Sequence, residues 1–158
     1  MTSTPSFPRV TGRNLENREF TLPRDLEGEL NVVLVAYERW QQDVIDTWTP
    51  HLGRLAAEFS GLRVYELPVI SFAMRMMRVW IDGGMRYGIP DKAVRETTIT
   101  LYTNVSAFNR ALGLGSTRTI YVLLVDRQGR VLWRGQDGFD PQQFAALRTA
   151  VAAVQPAR

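Results

Sequence analysis

The run NVVLVAY, Asn31 to Tyr37, is continuously apolar after its first residue and rich in β-branched side chains. It does not alternate polar with apolar, so a strand built from it must be covered on both faces. Immediately afterwards the period changes. Val44, Ile45, Trp48, Leu52, Leu55, Ala56 and Phe59 recur at helical spacing between Asp43 and Phe59. A doubly covered strand feeding an amphipathic helix is the unit from which layered α/β domains are built.

The rest of the chain extends that pattern. Glu19–Leu22 is strand-like, Pro23 ends it, and Asp25–Gly28 makes a turn. Pro50 inside the first helix predicts a kink and Gly61 a stop. LRVYELPVIS is a second internal strand. AMRMMRVWIDGGMRYGI is expected as a helix broken at Gly83-Gly84, TTITLYTN as a strand, and SAFNRALGL as a short helix capped by Ser106. RTIYVLLVDRQGRVLWRG carries a hairpin around Arg127–Arg130. The last helix has Asp140 as its N-cap and Pro141 as its first residue. The order is β, β, α, β, α, β, α, hairpin, α. Residues 1–16, with Pro5 and Pro8, are expected as an extended N-terminal arm, and 17–158 as a single domain.

The side-chain inventory removes whole classes of chemistry. The chain of 158 residues contains no cysteine, so a thiolate nucleophile, a disulfide and a thiolate metal site are all excluded. His51 is the only histidine and follows Pro50 within the predicted helix, a poor place for a hydrolase base. The aspartates lack calcium-loop spacing. Gly83-Gly84 and LGLG at Leu112–Gly115 fit neither phosphate-loop fingerprint. The net charge is +3, Lys92 is the only lysine, and the arginines are scattered among acids. No basic stripe with interleaved aromatics suggests nucleic acid. No run spans a bilayer, and no signal-peptide core is recognised. A cytoplasmic protein is the expectation.

FTLPRDLEGELNVVLVAY resembles the opening of peroxiredoxin-like and thiol-disulfide oxidoreductase domains. The resemblance implies a thioredoxin-like fold, with a central mixed sheet flanked by helices on both faces. Laid on that pattern, Gln42, Asp43, Val44 and Ile45 fall at the CxxC position, and Ile120 at the position of the cis-proline. GMRYGIPD, TITLYTN and IYVLLVDRQGRVLWRGQDGFDPQQFAAL look like the mitochondrial ATP-synthase assembly-factor family, which has a degenerate thioredoxin-like domain. The residues that carry this likeness are Arg86, Tyr121, Leu124, Val125, Asp126, Arg130, Trp133, Arg134 and Gly135. No mitochondrial presequence is recognised, so a bacterial relative is the expected identity.

The resemblance implies a chaperone-like role without redox chemistry and without a cofactor. The expected partner is a polypeptide, such as a subunit of a membrane enzyme, and a homodimer is an open alternative. Trp40, Gln41 and Gln42 sit at the loop where α/β sheets bind ligands, and are candidates to stack on and hydrogen-bond a peptide. Trp48 is expected in the core. Met74, Met76, Met77, Trp80 and Met85, interleaved with Arg75, Arg78 and Arg86, form either a core helix or an adaptable surface. The rival reading is a small-molecule or anion binder, or an enzyme, in which Arg78, Arg86 and Tyr102 hold an anion.

Overall fold

The computed structural model describes residues 5–71 and 91–155. Seven strands form one mixed sheet: β1 (Val10–Asn14), β2 (Glu19–Leu22), β3 (Leu30–Ala36), β4 (Leu62–Ser71), β5 (Ile99–Thr103), β6 (Tyr121–Asp126) and β7 (Val131–Gln136). Their spatial order is β2-β1-β5-β4-β3-β6-β7. β3 and β5 run parallel to β4; every other pairing is antiparallel. The described helices are α1 (Gln42–Glu58), α2 (Lys92–Glu96), α3 (Val105–Leu112) and α4 (Pro141–Ala152).

β3 lies inside this sheet, between β4 and β6, and every residue of it is buried. Val33 and Val35 join one core with Phe108 and Leu112 of α3. Leu30, Val32, Leu34 and Ala36 join the other with Ile45, Trp48, Leu52 and Leu55 of α1 and Leu147 and Val151 of α4. The unbroken apolar run thus feeds two cores, because successive side chains of a strand point to opposite faces. Pro50 sits within α1 and removes the amide that would bond the Asp46 carbonyl. The Thr49 hydroxyl donates to that carbonyl instead, at 3.3 Å.

The segment expected as an arm contains a strand of the sheet. Val10–Asn14 pairs with β2 on one side and β5 on the other. Pro5, Phe7 and Gly12 conceal this in the sequence. Phe7 is buried edge-on against Phe108, at 5.7 Å between ring centroids, and its amide bonds the Gly129 carbonyl. Gly12 is required by close approach, since a Cβ there would lie 2.5 Å from the Thr100 oxygen. The cap of α3 also differs from expectation. Asn104, not Ser106, accepts the Ala107 amide, because Val105 is already helical.

The two outermost strands are partly closed by the chain itself. On β2, the Asp25 carboxylate accepts the Thr21 amide at 2.7 Å, and the Asp25 amide donates to the Thr21 carbonyl. On β7, the Val131 amide bonds the Pro5 carbonyl. Further along, Gln143 accepts from the Gln136 amide and donates to its carbonyl, each at 2.9 Å.

The hairpin residues do structural work. The Asp126 carboxylate accepts the amides of Gln128 and Arg130 and the Arg130 guanidinium. Gly129 completes the turn at φ 82°, where a side chain would be strained. Burial alone would push the Asp126 carboxyl up; the bonds from Arg130 and Gln128 outweigh it and hold the group below its ordinary range. Gly135 makes room for the Trp133 indole, 2.4 Å from where a Cβ would stand. Arg134 donates to the Gly113 carbonyl and ties the end of α3 to β7.

Candidate functional site

The carboxyl end of β3 turns through Tyr37 and Glu38 into a 3-10 turn, Arg39–Gln41, and then into α1. Opposite it, the loop from Gly113 to Ile120 leads into β6. Glu38 and Trp40 from the first loop and Thr117 and Arg118 from the second line an open cleft. Trp40 is 56% exposed, the largest side chain among the exposed hydrophobic residues described. Its indole N–H donates to the Glu38 carboxylate, which fixes the ring at the cleft mouth.

Gln41 holds the two walls together. It is fully buried. Its Oε1 accepts the amides of Tyr37 at 2.7 Å and Glu38 at 3.1 Å, and its Nε2 donates to the Thr117 carbonyl at 2.9 Å. Beneath them the Tyr37 hydroxyl donates to Asn109 Oδ1 of α3 at 2.7 Å, and the ring lies edge-on to Tyr121. Burial, with the Tyr121 phenol adding to it, raises the Tyr37 pKa and keeps that hydroxyl protonated. The Tyr121 hydroxyl in turn accepts the Ser116 amide. The cleft floor is therefore a connected set of satisfied polar groups.

Gln41, expected as a binding residue, has its side chain engaged within the fold. Gln42 is half-buried, and its Nε2 donates to Asp46 at 2.9 Å with a longer contact to Glu66 at 3.5 Å. Burial, and secondarily Asp46, raises the pKa of the Glu66 carboxyl, while the Gln42 contact opposes them. Asp43 is exposed, Val44 half-buried and Ile45 buried in the first turns of α1, so these positions supply no thiol nucleophile. Ile120 is fully buried against α1 and α4. Among the described residues the cis peptide bond is Leu22–Pro23, not the one preceding Ile120.

Trp48 is in the core, as expected. It is fully buried, and its indole donates to the Asp137 carbonyl at 2.8 Å. His51 stacks on Phe139 at 3.7 Å and meets Arg54 through Nδ1, a packing role on the outer side of α1. Tyr102 is half-buried on β5, two strands from β3. Arg78, Arg86 and the methionine-rich segment from Met74 to Met85 lie outside the described residues. Sequence reasoning did not single out Glu38, Thr117 or Arg118. The stretch STRT is polar and nothing in it marks a cleft wall; the signal lies only in its return to the β3 edge.

The sequence model of the family described as ATP10 protein matches residues 3–154. The chain belongs to this family. The likeness read from the hairpin is thereby borne out, and the structure gives Asp126, Gly129, Trp133 and Gly135 turn and packing roles in that pattern. No curated protein matches the chain in sequence. Solved structures match in fold. Yeast Sco1 with copper bound is 12% identical, with a TM-score of 0.64, over 99% of this chain and 98% of that one. BsSco, a member of the Sco family of cytochrome c oxidase assembly proteins, is 13% identical with a TM-score of 0.61, over 95% and 93%. A putative thiol:disulfide interchange protein DsbE from Chlorobium tepidum is 15% identical with a TM-score of 0.59, over 97% of each chain. The fold of this ATP10-family chain is thioredoxin-like. Thiol chemistry is unavailable to it, since it has no cysteine. No helix among the described residues is long and apolar enough to cross a membrane.

Proposed function

We propose that this ATP10-family chain is a non-enzymatic assembly factor that holds a polypeptide at the cleft beside Trp40. The observation that carries the reading is the buried Gln41 side chain. It locks the β3 loop to the loop before β6 with three hydrogen bonds. A rigid cleft with an exposed tryptophan at its mouth suits recognition, where preorganisation lowers the entropic cost of binding. Tryptophan is also favoured as an interface anchor. The family supports an assembly role, and the Sco likeness supports a fold that can serve one. The partner fitting that role is a subunit of a membrane enzyme. The protein would work in the cytoplasm or at the membrane face.

The test is affinity capture with mild crosslinking from a detergent-solubilised extract of the native organism, with Trp40→Ala run beside the wild type. Recovery of an ATP-synthase subunit that the variant fails to recover supports the reading. Equal recovery by both proteins removes the cleft from it, and no specific subunit in either sinks the assembly role.

A further inference from the structure

The two walls of the cleft carry opposite formal charges but are not equally available. Glu38 is engaged by the Trp40 indole N–H. Across the cleft Arg118 is exposed, and among the described residues its guanidinium has no carboxylate partner; only its backbone amide is bonded, to Ser116 Oγ at 3.0 Å. The acid next in reach of that loop, Asp137, is engaged by the Thr119 hydroxyl. Arg39, between Glu38 and Trp40 in the chain, is also exposed and has no carboxylate partner among the described residues. With Arg39 and Arg118 against the single carboxylate of Glu38, the mouth carries a net positive charge beside an aromatic face. The whole chain has the same sign, at +3.

We infer that the cleft selects a polypeptide segment carrying a carboxylate next to an apolar side chain, with the carboxylate on Arg118 and the apolar group on Trp40. The inference rests on the peptide-binding reading above and adds a charge requirement to it. A guanidinium favours carboxylate geometry through paired N–H donors, which an amide isostere cannot match. A lysine- or arginine-bearing segment meets like charge instead.

The experiment uses the full chain and three capped synthetic decapeptides of leucine and alanine that differ only in two central residues: Asp, Asn or Lys. Binding is read by calorimetry at low and high salt. The Asp peptide is expected to bind at least tenfold more tightly than the Asn peptide, with the gap lost in Arg118→Glu, reduced but not lost in Arg118→Lys, which keeps the charge without the paired donors, and narrowed by salt. Equal binding of Asp and Asn peptides overturns the charge requirement while leaving peptide binding in place. Failure of all three peptides overturns both. Tighter binding of a short single-stranded oligonucleotide than of the Asp peptide also overturns the inference, since it assigns the arginines to phosphate.

Discussion

Gln41 Nε2 donates to the Thr117 carbonyl at 2.9 Å, joining residues 76 positions apart in the chain. The same side chain accepts two amides of its own loop. One neutral amide thus does by hydrogen bonding what no cysteine here can do by covalent chemistry. It fixes the approach of the two loops that line the cleft.

Replacing Gln41 by alanine strands three partly buried polar groups. The expected loss is about 2–4 kcal/mol, since each unsatisfied buried group costs roughly 1–3 kcal/mol and water repairs part of the damage. Urea denaturation measures it. A loss below about 0.5 kcal/mol, the range of ordinary surface substitutions, would show that the loops do not depend on this side chain.

Trp40 and Trp48 are expected to separate recognition from stability. Trp48→Ala removes a fully buried indole and its bond to Asp137, and is expected to cost about 3–5 kcal/mol. Trp40→Ala removes a largely exposed ring and is expected to change stability by about 0.5 kcal/mol or less, while abolishing capture of the partner. Thermal melts of the two variants, side by side, decide it. Similar losses in both would place Trp40 in the fold rather than at a binding surface.

Glu66 and Asp126 give opposite pH dependences. Asp126 titrates below its unfolded value, so its contribution is present above the ordinary carboxylate range and is lost as pH falls through the folded pKa. Glu66 titrates above its unfolded value, so the native state binds the proton more tightly and stability declines as pH rises through that window. Glu66→Gln is therefore expected to be more stable than the wild type at pH 7, with the gap closing as the pH is lowered past the usual range of a carboxylic acid. Urea midpoints taken from pH 4 to pH 8 follow the effect, and a gap that widened toward acid would contradict the assigned direction.

Gly135→Ala tests why the hairpin pattern ends in glycine. The added methyl meets the Trp133 ring at 2.4 Å and the Gln143 Oε1 at 2.7 Å. Overpacking of this kind costs about 1–3 kcal/mol. Near-edge protein fluorescence should shift as Trp133 moves. A variant as stable as the wild type, with unchanged emission, would mean that Trp133 relaxes without penalty.

Much of this architecture was legible because single residues carried it. The apolar run of β3 announced burial on both faces, Pro141 after Asp140 announced the start of α4, and Arg127–Arg130 announced the hairpin turn. β1 was hidden because its glycine is there for close packing against β5, a relation invisible without the partner strand. The cleft was half-visible. Trp40 stood out as an aromatic after a buried strand, but Gln41 looked like a ligand and proved to be a brace. Nothing local to Gln41 says that the Thr117 carbonyl will stand opposite it. Arg118 was missed for the same reason.

The closed edges of the sheet have a bearing on the company such a protein keeps. Asp25 occupies the outward hydrogen-bonding groups of Thr21, while Pro5 and Gln143 engage β7 near its two ends. An open strand edge is a template on which other unpaired chains can aggregate. A factor that attends incompletely assembled subunits meets many such chains. With its flanks blunted, the chain does not offer its own margins for the growth of such a sheet.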